Sequence, residues 1–384
     1  MSWSKKTGVT AWLLVVASAL AIAGCGSSKS SNGGEPSAKT SGSASASSGA
    51  VVAQAEKEFS EFEDVYGLEG LTKIGKSIPA GKKIDFVICA PASCTTASRS
   101  FAAAAKVLGW SSKTIDAGET PSSQQEVLQQ TVAEKPDAVV IEGLATELLT
   151  KQIEALKQEK VNVVLWQIAG AKEEPPAQYI IPGPSYYKAM TKAFAAADVV
   201  AGGEEADITL ATEPAFPIYK ITIDPEFKEA VASLCPKCTV NELQLPVSSL
   251  GKNATTLITN FVRGHAGTNV VDNMQDVTGL GLDAALKGAG VNNVKIIGWA
   301  PTEANFPDLA AETEFAFIAN PTQEMAWMVA DSLARIYTGE EPTPDIETTA
   351  PVVIWTTKNL HEWKGVEPPA PTDYVSKFEE LWGK

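Results

Sequence analysis

Histidine is almost missing from this chain: 384 residues include only His265 and His361. Also missing are a G-x-S-x-G elbow, a phosphate-cradling Walker loop, a G-x-G-x-x-G turn and an H-E-x-x-H pair. A hydrolase needs a nucleophile with a base in reach, and zinc needs four spaced ligands. The expectation is therefore no catalysis, no cofactor and no metal. Positive charge is short as well. Lys and Arg number 31 against 46 Asp and Glu, for a formal net charge of -15, which repels phosphate backbones and excludes nucleic acid as a natural partner. Long apolar runs are scarce too. The one candidate, Thr10 to Gly24, falls short of the ~20 residues that a membrane-crossing helix needs, and no second run approaches that length.

What is present begins with that short run. Lys5 and Lys6 precede it, and Ile22-Ala23-Gly24 lead into Cys25. The pattern resembles a secretory signal ending in the lipobox of bacterial lipoproteins. The resemblance implies cleavage before Cys25, lipidation of Cys25 and an anchor at the extracytoplasmic face of the cell membrane. Two or more acyl chains give stable anchoring at about 0.8 kcal/mol per buried methylene. Beyond Cys25, Gly26 to Ala50 is Ser-, Gly- and Ala-rich with no aromatic residue. Such a segment buries too little to offset its ordering entropy and reads as a tether with a reach of about 25–30 Å.

The five cysteines, less Cys25, leave Cys89, Cys94, Cys235 and Cys238. An even number in an oxidising compartment suggests disulfides. Three connectivities are open, and the spacing favours the local pairs Cys89 with Cys94 and Cys235 with Cys238. The CxxC in SLCPKCT follows a helical pattern instead of opening one, unlike a redox motif.

From Lys82 onward short apolar runs alternate with amphipathic stretches. KKIDFVICA, KTIDA, DAVVIEG, VNVVLWQIAG and QYIIPGPS read as strands. Between them Phe101, Ala104, Ala105 and Leu108 form one helical stripe, and Leu149, Ile153 and Leu156 another. After the Pro182-Gly183-Pro184 break the rhythm resumes with ADITLATE, TVNELQLP, NVVDNM and NVKIIGWA as strands. Strands each followed by a helix indicate βαβ units and parallel sheets. The fold class expected is α/β, with two doubly wound parallel-sheet lobes joined by a hinge. The expected boundaries are a signal over 1–24, lipidated Cys25 and tether over 25–50, and an outlying helix and linker over 51–80. Lobe 1 takes 81–182 and 321–345; lobe 2 takes 183–320 and 346–384, including an amphipathic tail.

Several segments resemble the ribose-binding-like branch of type I periplasmic binding proteins, the solute-binding components of ABC importers. AAAAKVLGW resembles its first helix, DVTGLGLDAAL its Asp-x-x-Ala-Leu-Gly helix start, VKIIGWAPT its Val-x-Gly-Phe-Asp strand, and FIANPTQEMAW its hinge strand and returning helix. The resemblance spans about Lys82 to Lys358. It implies a monomer that shuts two lobes on a small molecule and presents it to a permease and its ATPase. A lipidated form fits a Gram-positive bacterium. A sensory protein presenting its ligand to a membrane receptor is the alternative.

Ligands of parallel sheets bind beyond the carboxyl ends of the strands. That rule points to Ser93, Thr95, Thr96, Glu142, Trp166 and Gln167 in the first lobe. In the second it points to Phe216, Tyr219, Asn273, Gln275, Asp276 and Trp299, with Asn320 at the hinge strand. Amides, hydroxyls and aromatics suit a neutral polar solute with a flat face. Where sugar-binding relatives carry an Asp-Arg pair, this chain reads Gln167-Ile168. Where they carry a further Asp and Arg, it has Ala300 and the isoleucines Ile221 and Ile223. An ordinary pentose or hexose is therefore not expected; a less hydroxylated, partly aromatic or apolar solute is.

Overall fold

Two parallel sheets, each covered by helices, produce the alternating pattern. The computed structural model describes residues 43–63, 71–89, 92–118, 120–167, 179–181, 184–216, 218–319, 321–340, 352–360 and 373–384. The expected signal, Cys25, Asn320 and the side chain of Ser93 lie outside the described residues. The strands are β1 (Lys83–Ile88), β2 (Ser111–Asp116), β3 (Ala138–Glu142), β4 (Asn162–Trp166), β5 (Tyr179–Ile181) and β6 (Asp207–Thr212). They continue with β7 (Thr239–Gln244), β8 (Val270–Asn273), β9 (Lys295–Trp299), β10 (Ala316–Ala319) and β11 (Val353–Trp355). The helices are α1 (Ser43–Glu61), α2 (Ala92–Leu108), α3 (Pro121–Glu134), α4 (Thr150–Gln158), α5 (Pro184–Gly202) and α6 (Asp224–Leu234). After them come α7 (Ala254–Gly264), α8 (Leu282–Gly288), α9 (Phe306–Ala310), α10 (Thr322–Thr338) and α11 (Tyr374–Trp382).

The first sheet runs β2-β1-β3-β4-β5 and the second β7-β6-β8-β9-β10-β11. Apart from the last strand the two orders match, so β1 corresponds to β6, β3 to β8 and β4 to β9. Paired strands are parallel except for β11, which lies antiparallel on β10. Central strands β1, β3 and β4 are buried on both faces, as helices on each side require. The edge strands β2 and β7 are the polar ones, with side chains in water. The expected stripe Phe101, Ala104, Ala105 and Leu108 is wholly buried on α2, and Leu149, Ile153 and Leu156 are buried at α4. Thr120 caps α3 and Ser123 reciprocates from its first turn, a capping box in which Ser123 is the returning partner and not the first cap. Both local disulfides form, Cys89–Cys94 and Cys235–Cys238.

Residues 44–384 make one compact unit, and three placements at its ends differ from the sequence expectation. Helix α1 starts at Ser43, so 43–50 is helical where a tether was expected. Alanine favours helix, and the following residues Val51, Val52 and Ala55 hold the helix down against Val199 and Cys235. The chain at 72–79 is bound to the first lobe: Pro79 accepts from the Trp110 indole, and Thr338 accepts from Lys76. The tail divides. Strand β11 joins the second sheet, whereas α11, expected with that lobe, packs on α10, which itself packs on α2 of the first. The reason is aromatic. Trp327 of α10 and Trp382 of α11 stack with centroids 5.4 Å apart, and the Trp382 indole donates to Asp331 at 2.8 Å. A buried Trp replaced by Ala forfeits about 3–5 kcal/mol. Trp382→Ala is expected to lower the urea midpoint accordingly, with α10 left partly uncovered; an unchanged midpoint would remove α11 from the structural core.

Candidate functional site

The carboxyl ends of the strands carry most of the expected site residues. In the first lobe β1 leads into Cys89, which is disulfide-bonded to Cys94 of α2 with the Cα atoms 5.8 Å apart. Gly143, at positive φ just after β3, faces it: a Cβ there would come within 2.9 Å of Cys89 Sγ. Beside them Glu142 ends β3, with a carboxylate oxygen within 4.8 Å of both sulfurs. Glu142 pairs in register with Trp166, the last residue of β4. Trp166 is fully buried and meets Phe86 edge-on at 5.7 Å. Gln167, half-buried, follows in the left-handed region at φ 51°. Thr95 and Thr96 lie on the first turns of α2, exposed and half-buried respectively.

The second lobe presents an aromatic wall. Tyr219 opens a π-turn that runs into α6. Its hydroxyl donates to the Met274 carbonyl at 2.8 Å and accepts from Gln275 Nε2 at 2.8 Å. Both bonds fix its ring, against which Trp299 stands edge-on at 6.1 Å and Phe216 at 6.0 Å. Trp299 ends β9 as Trp166 ends β4, and Ala300 after it also has positive φ, 53°. Two equivalent strands thus finish in Trp followed by a non-glycine residue in a strained backbone, at a cost of about 1–3 kcal/mol each. Such strain gathers at binding sites.

Two expected residues turn inward. Asn273 is fully buried and accepts from Thr278 at 3.1 Å. Asp276 starts a 3-10 turn, and its carboxyl shares a hydrogen bond with Glu314 beneath Gly298 and Gly279. It caps no helix and lies in the protein interior, because the glycine at 298 leaves the space that its carboxyl fills. Burial raises both carboxyls well above their ordinary range, and each further raises its partner or is held by it through a shared proton. Asp198 and Asp272 form a second such pair.

Three residues of the wall escaped the sequence reading: Tyr186, Tyr187 and Glu213. Tyr186 and Tyr187 stand at the start of α5 and meet edge to face at 5.3 Å. Glu213 directly follows β6, so the strand-end rule applied to ADITLATE would have found it. It is fully buried, and burial, reinforced by Asp224, lifts its carboxyl to about 8. Glu142 is lifted well above its usual value by burial alone. One contiguous cluster of buried side chains takes in Phe86 and Trp166 of the first lobe and Tyr186, Tyr187, Tyr219 and Trp299 of the second. Around it Glu142 Oε2, Trp166 Nε1, Tyr187 Oη and Asn273 Nδ2 find no hydrogen-bond partner among the described residues. Apart from its own amide, neither does the Glu213 carboxyl. Buried polar atoms left unpaired cost about 1–3 kcal/mol each, and a polar ligand is what would pair them.

A surface hollow of about 490 Å³ lies elsewhere, under α1 between Phe59, Lys295, Glu314 and Phe315. Those residues mark the amino ends of β9 and β10, opposite to Trp299. Its Lys358 is bonded to Glu63 at 3.1 Å, and Glu314 is engaged with Asp276, so we do not place the site there. His265 stacks on Phe261 with centroids 4.0 Å apart; His361 lies outside the described residues.

Two α/β lobes with their polar and aromatic residues at matching strand ends define a solute-binding protein of hinged type. A family model described as a periplasmic binding protein domain matches residues 93–341, and the chain belongs to that family, in its type I form; it is a binding protein and not an enzyme. Among solved structures, an ABC transporter solute-binding protein from Mycobacterium smegmatis with bound glycerol has a TM-score of 0.63 at 16% identity, covering 76% of this chain and 100% of that one. An ABC sugar transporter subunit from Rhodobacter sphaeroides gives 0.62 at 20% identity, over 73% and 99%. A periplasmic ribose ABC transporter from Conexibacter woesei gives 0.61 at 16%, over 77% and 100%. At such identities the likeness is one of fold. No curated protein sequence matches.

Glu213 supplies a pH test. Its carboxyl holds a proton up to about 8 when folded but only to about 4.5 when unfolded. Unfolding between those values releases a proton, so its contribution is full below about 4.5 and is lost as pH rises toward 8, at up to about 1.4 kcal/mol per pH unit. Glu213→Gln should match the wild type near pH 4.5 and exceed it by at least about 1.4 kcal/mol at pH 8. Parallel stability curves for the two proteins would show that Glu213 is not buried as described.

Proposed function

We propose that this protein is a lipid-anchored solute receptor of an ABC importer. Cys25 carries the anchor at the outer face of the cell membrane, and residues up to α1 form the leash. The folded lobes take a small solute between the carboxyl ends of their sheets, close on it about the hinge crossings, and present it to a permease driven by its ATPase. The observation that carries this reading is the set of buried, unpaired polar groups at strand ends of both lobes, set among aromatic rings. Contacts completed only on closure make a hinged protein selective. Solved structures of similar fold hold glycerol, allitol and D-fucose, which supports a small solute here. Gln167 and Ala300 at the two strained strand ends lack the charge that sugar-binding relatives use for hydroxyls. A solute with a flat or apolar face and few hydroxyls suits them better.

Thermal-shift screening of residues 44–384 against sugars, polyols, amines and aromatic acids tests the reading. A true ligand at 100 times its Kd adds about 2.7 kcal/mol and contracts the X-ray scattering profile. Trp166→Ala and Gln167→Ala are each expected to weaken it at least tenfold, about 1.4 kcal/mol. Affinity unchanged in both variants excludes the end of β4 from the site. A scattering profile indifferent to every stabilising compound excludes hinge closure.

A further inference from the structure

We propose that the solute carries a positive charge, an amine or quaternary ammonium, held between Glu142 of one lobe and Glu213 of the other and walled by Trp166, Tyr187, Tyr219 and Trp299. This rests on the solute-binding reading above and replaces the neutral solute expected from sequence. The first ground is charge balance. Among the described residues the only buried basic side chain is Arg335 of α10, bonded to Asp331 at 2.7 Å on the far side of the first lobe's helices. The other deeply buried acids of the second lobe meet in couples, Asp198 with Asp272 and Asp276 with Glu314, and each couple shares a proton. Glu142 and Glu213 have no such arrangement. What faces Glu142 is the Cys89–Cys94 disulfide and Trp166, neither of which titrates. What faces Glu213 is Asp224 of α6 and the phenol of Tyr219, with Tyr187 beyond it, and none is a cation. An acid buried without a counter-ion stays protonated; a ligand bringing the missing charge lets it ionise.

The second ground is the rings. Aromatic faces attract cations, more strongly once both are out of water, and four large rings stand at the same strand ends as the two carboxyls. Tyr219 is held in place by hydrogen bonds at both sides of its hydroxyl, so its ring and not its oxygen is what it offers. The third ground is the unpaired Glu142 Oε2 itself, in a side chain 2% exposed. A carboxylate–ammonium contact in such a place is short and strong.

Calorimetry on the intact folded unit with matched probes tests this. The pairs are choline against 3,3-dimethylbutan-1-ol, which replaces the nitrogen with carbon, and benzylamine against benzyl alcohol, with glycerol and D-allose as polyol arms. The charged member of at least one pair is expected to bind about 100-fold tighter than its neutral twin. Its affinity should rise up to about tenfold per unit between pH 5.5 and 7.5, because binding displaces a proton. Glu142→Gln or Glu213→Gln should weaken the cation at least tenfold and flatten that pH slope. Should a variant fail to fold, the wild-type slope decides alone. Equal or tighter binding of the neutral twins or the polyols overturns the proposal while leaving solute binding intact. An affinity that falls with rising pH does the same, since protonated carboxyls would then be donating to a neutral solute. Response to none of the amines also overturns it.

Discussion

A parallel sheet covered by helices on both faces has only its ends left for chemistry. That constraint governs this protein twice over. Strands β1, β3 and β4, and their counterparts β6, β8 and β9, are buried along nearly their whole length because helices lie on either side, and Asp272 inside β8 pairs with the buried Asp198. The polar and aromatic side chains that do something other than pack are displaced to the last residue of each strand and the one after it. Hence Glu142, Trp166 and Gln167 in one lobe, and Glu213, Asn273, Trp299 and Ala300 in the other, fall at matching places without any sequence repeat. The strained backbone at Gln167 and Ala300 belongs to the same logic: each strand must turn sharply where its tryptophan stops.

The same periodicity explains how much could be read before any coordinates. Short runs and stripes at helical spacing recovered the strands and the longer helices from Lys82 to Thr338, including the returning helix α10 on the first lobe, but not the short α9. Local patterns determine such elements, since burial on two faces leaves an apolar run and burial on one face leaves a stripe. What local patterns do not contain is which partner an amphipathic helix will choose. The stripe on YVSKFEELW says that α11 buries one face, but only the stack of Trp382 on Trp327 says where. Likewise SGSASASS reads as tether by composition, and the docking of the next two turns makes it the start of α1.

The site was legible to the extent that strand ends were. Glu142, Trp166, Tyr219, Gln275 and Trp299 come to the ends of the sheets as that rule expects. Asp276 does not, because a carboxyl five residues from the end of α8's leading loop met Glu314, distant in sequence, and a glycine made room for it. Glu213 was hidden by its ordinary setting, a single acid after an ordinary strand. Its significance is three-dimensional: nothing basic reaches it. Acids in this interior either find one another or lack a hydrogen-bond partner; Glu142 and Glu213 at the candidate site lack one, as does Glu324 on α10, which the charge of Lys377 on α11 influences.

Helix α10 leaves the second sheet at β10 and is buried along nearly its whole length in the first lobe. Helix α2 holds one flank and α11 the other, while Arg335, oriented by Asp331 of the same helix, pins its far end to the Thr72 carbonyl. A rod clamped on three sides does not slide when the lobes swing. It belongs to one jaw, so a swing of the second sheet would carry β9, β10 and β11 past it as one body, and the tip of Trp299 with them.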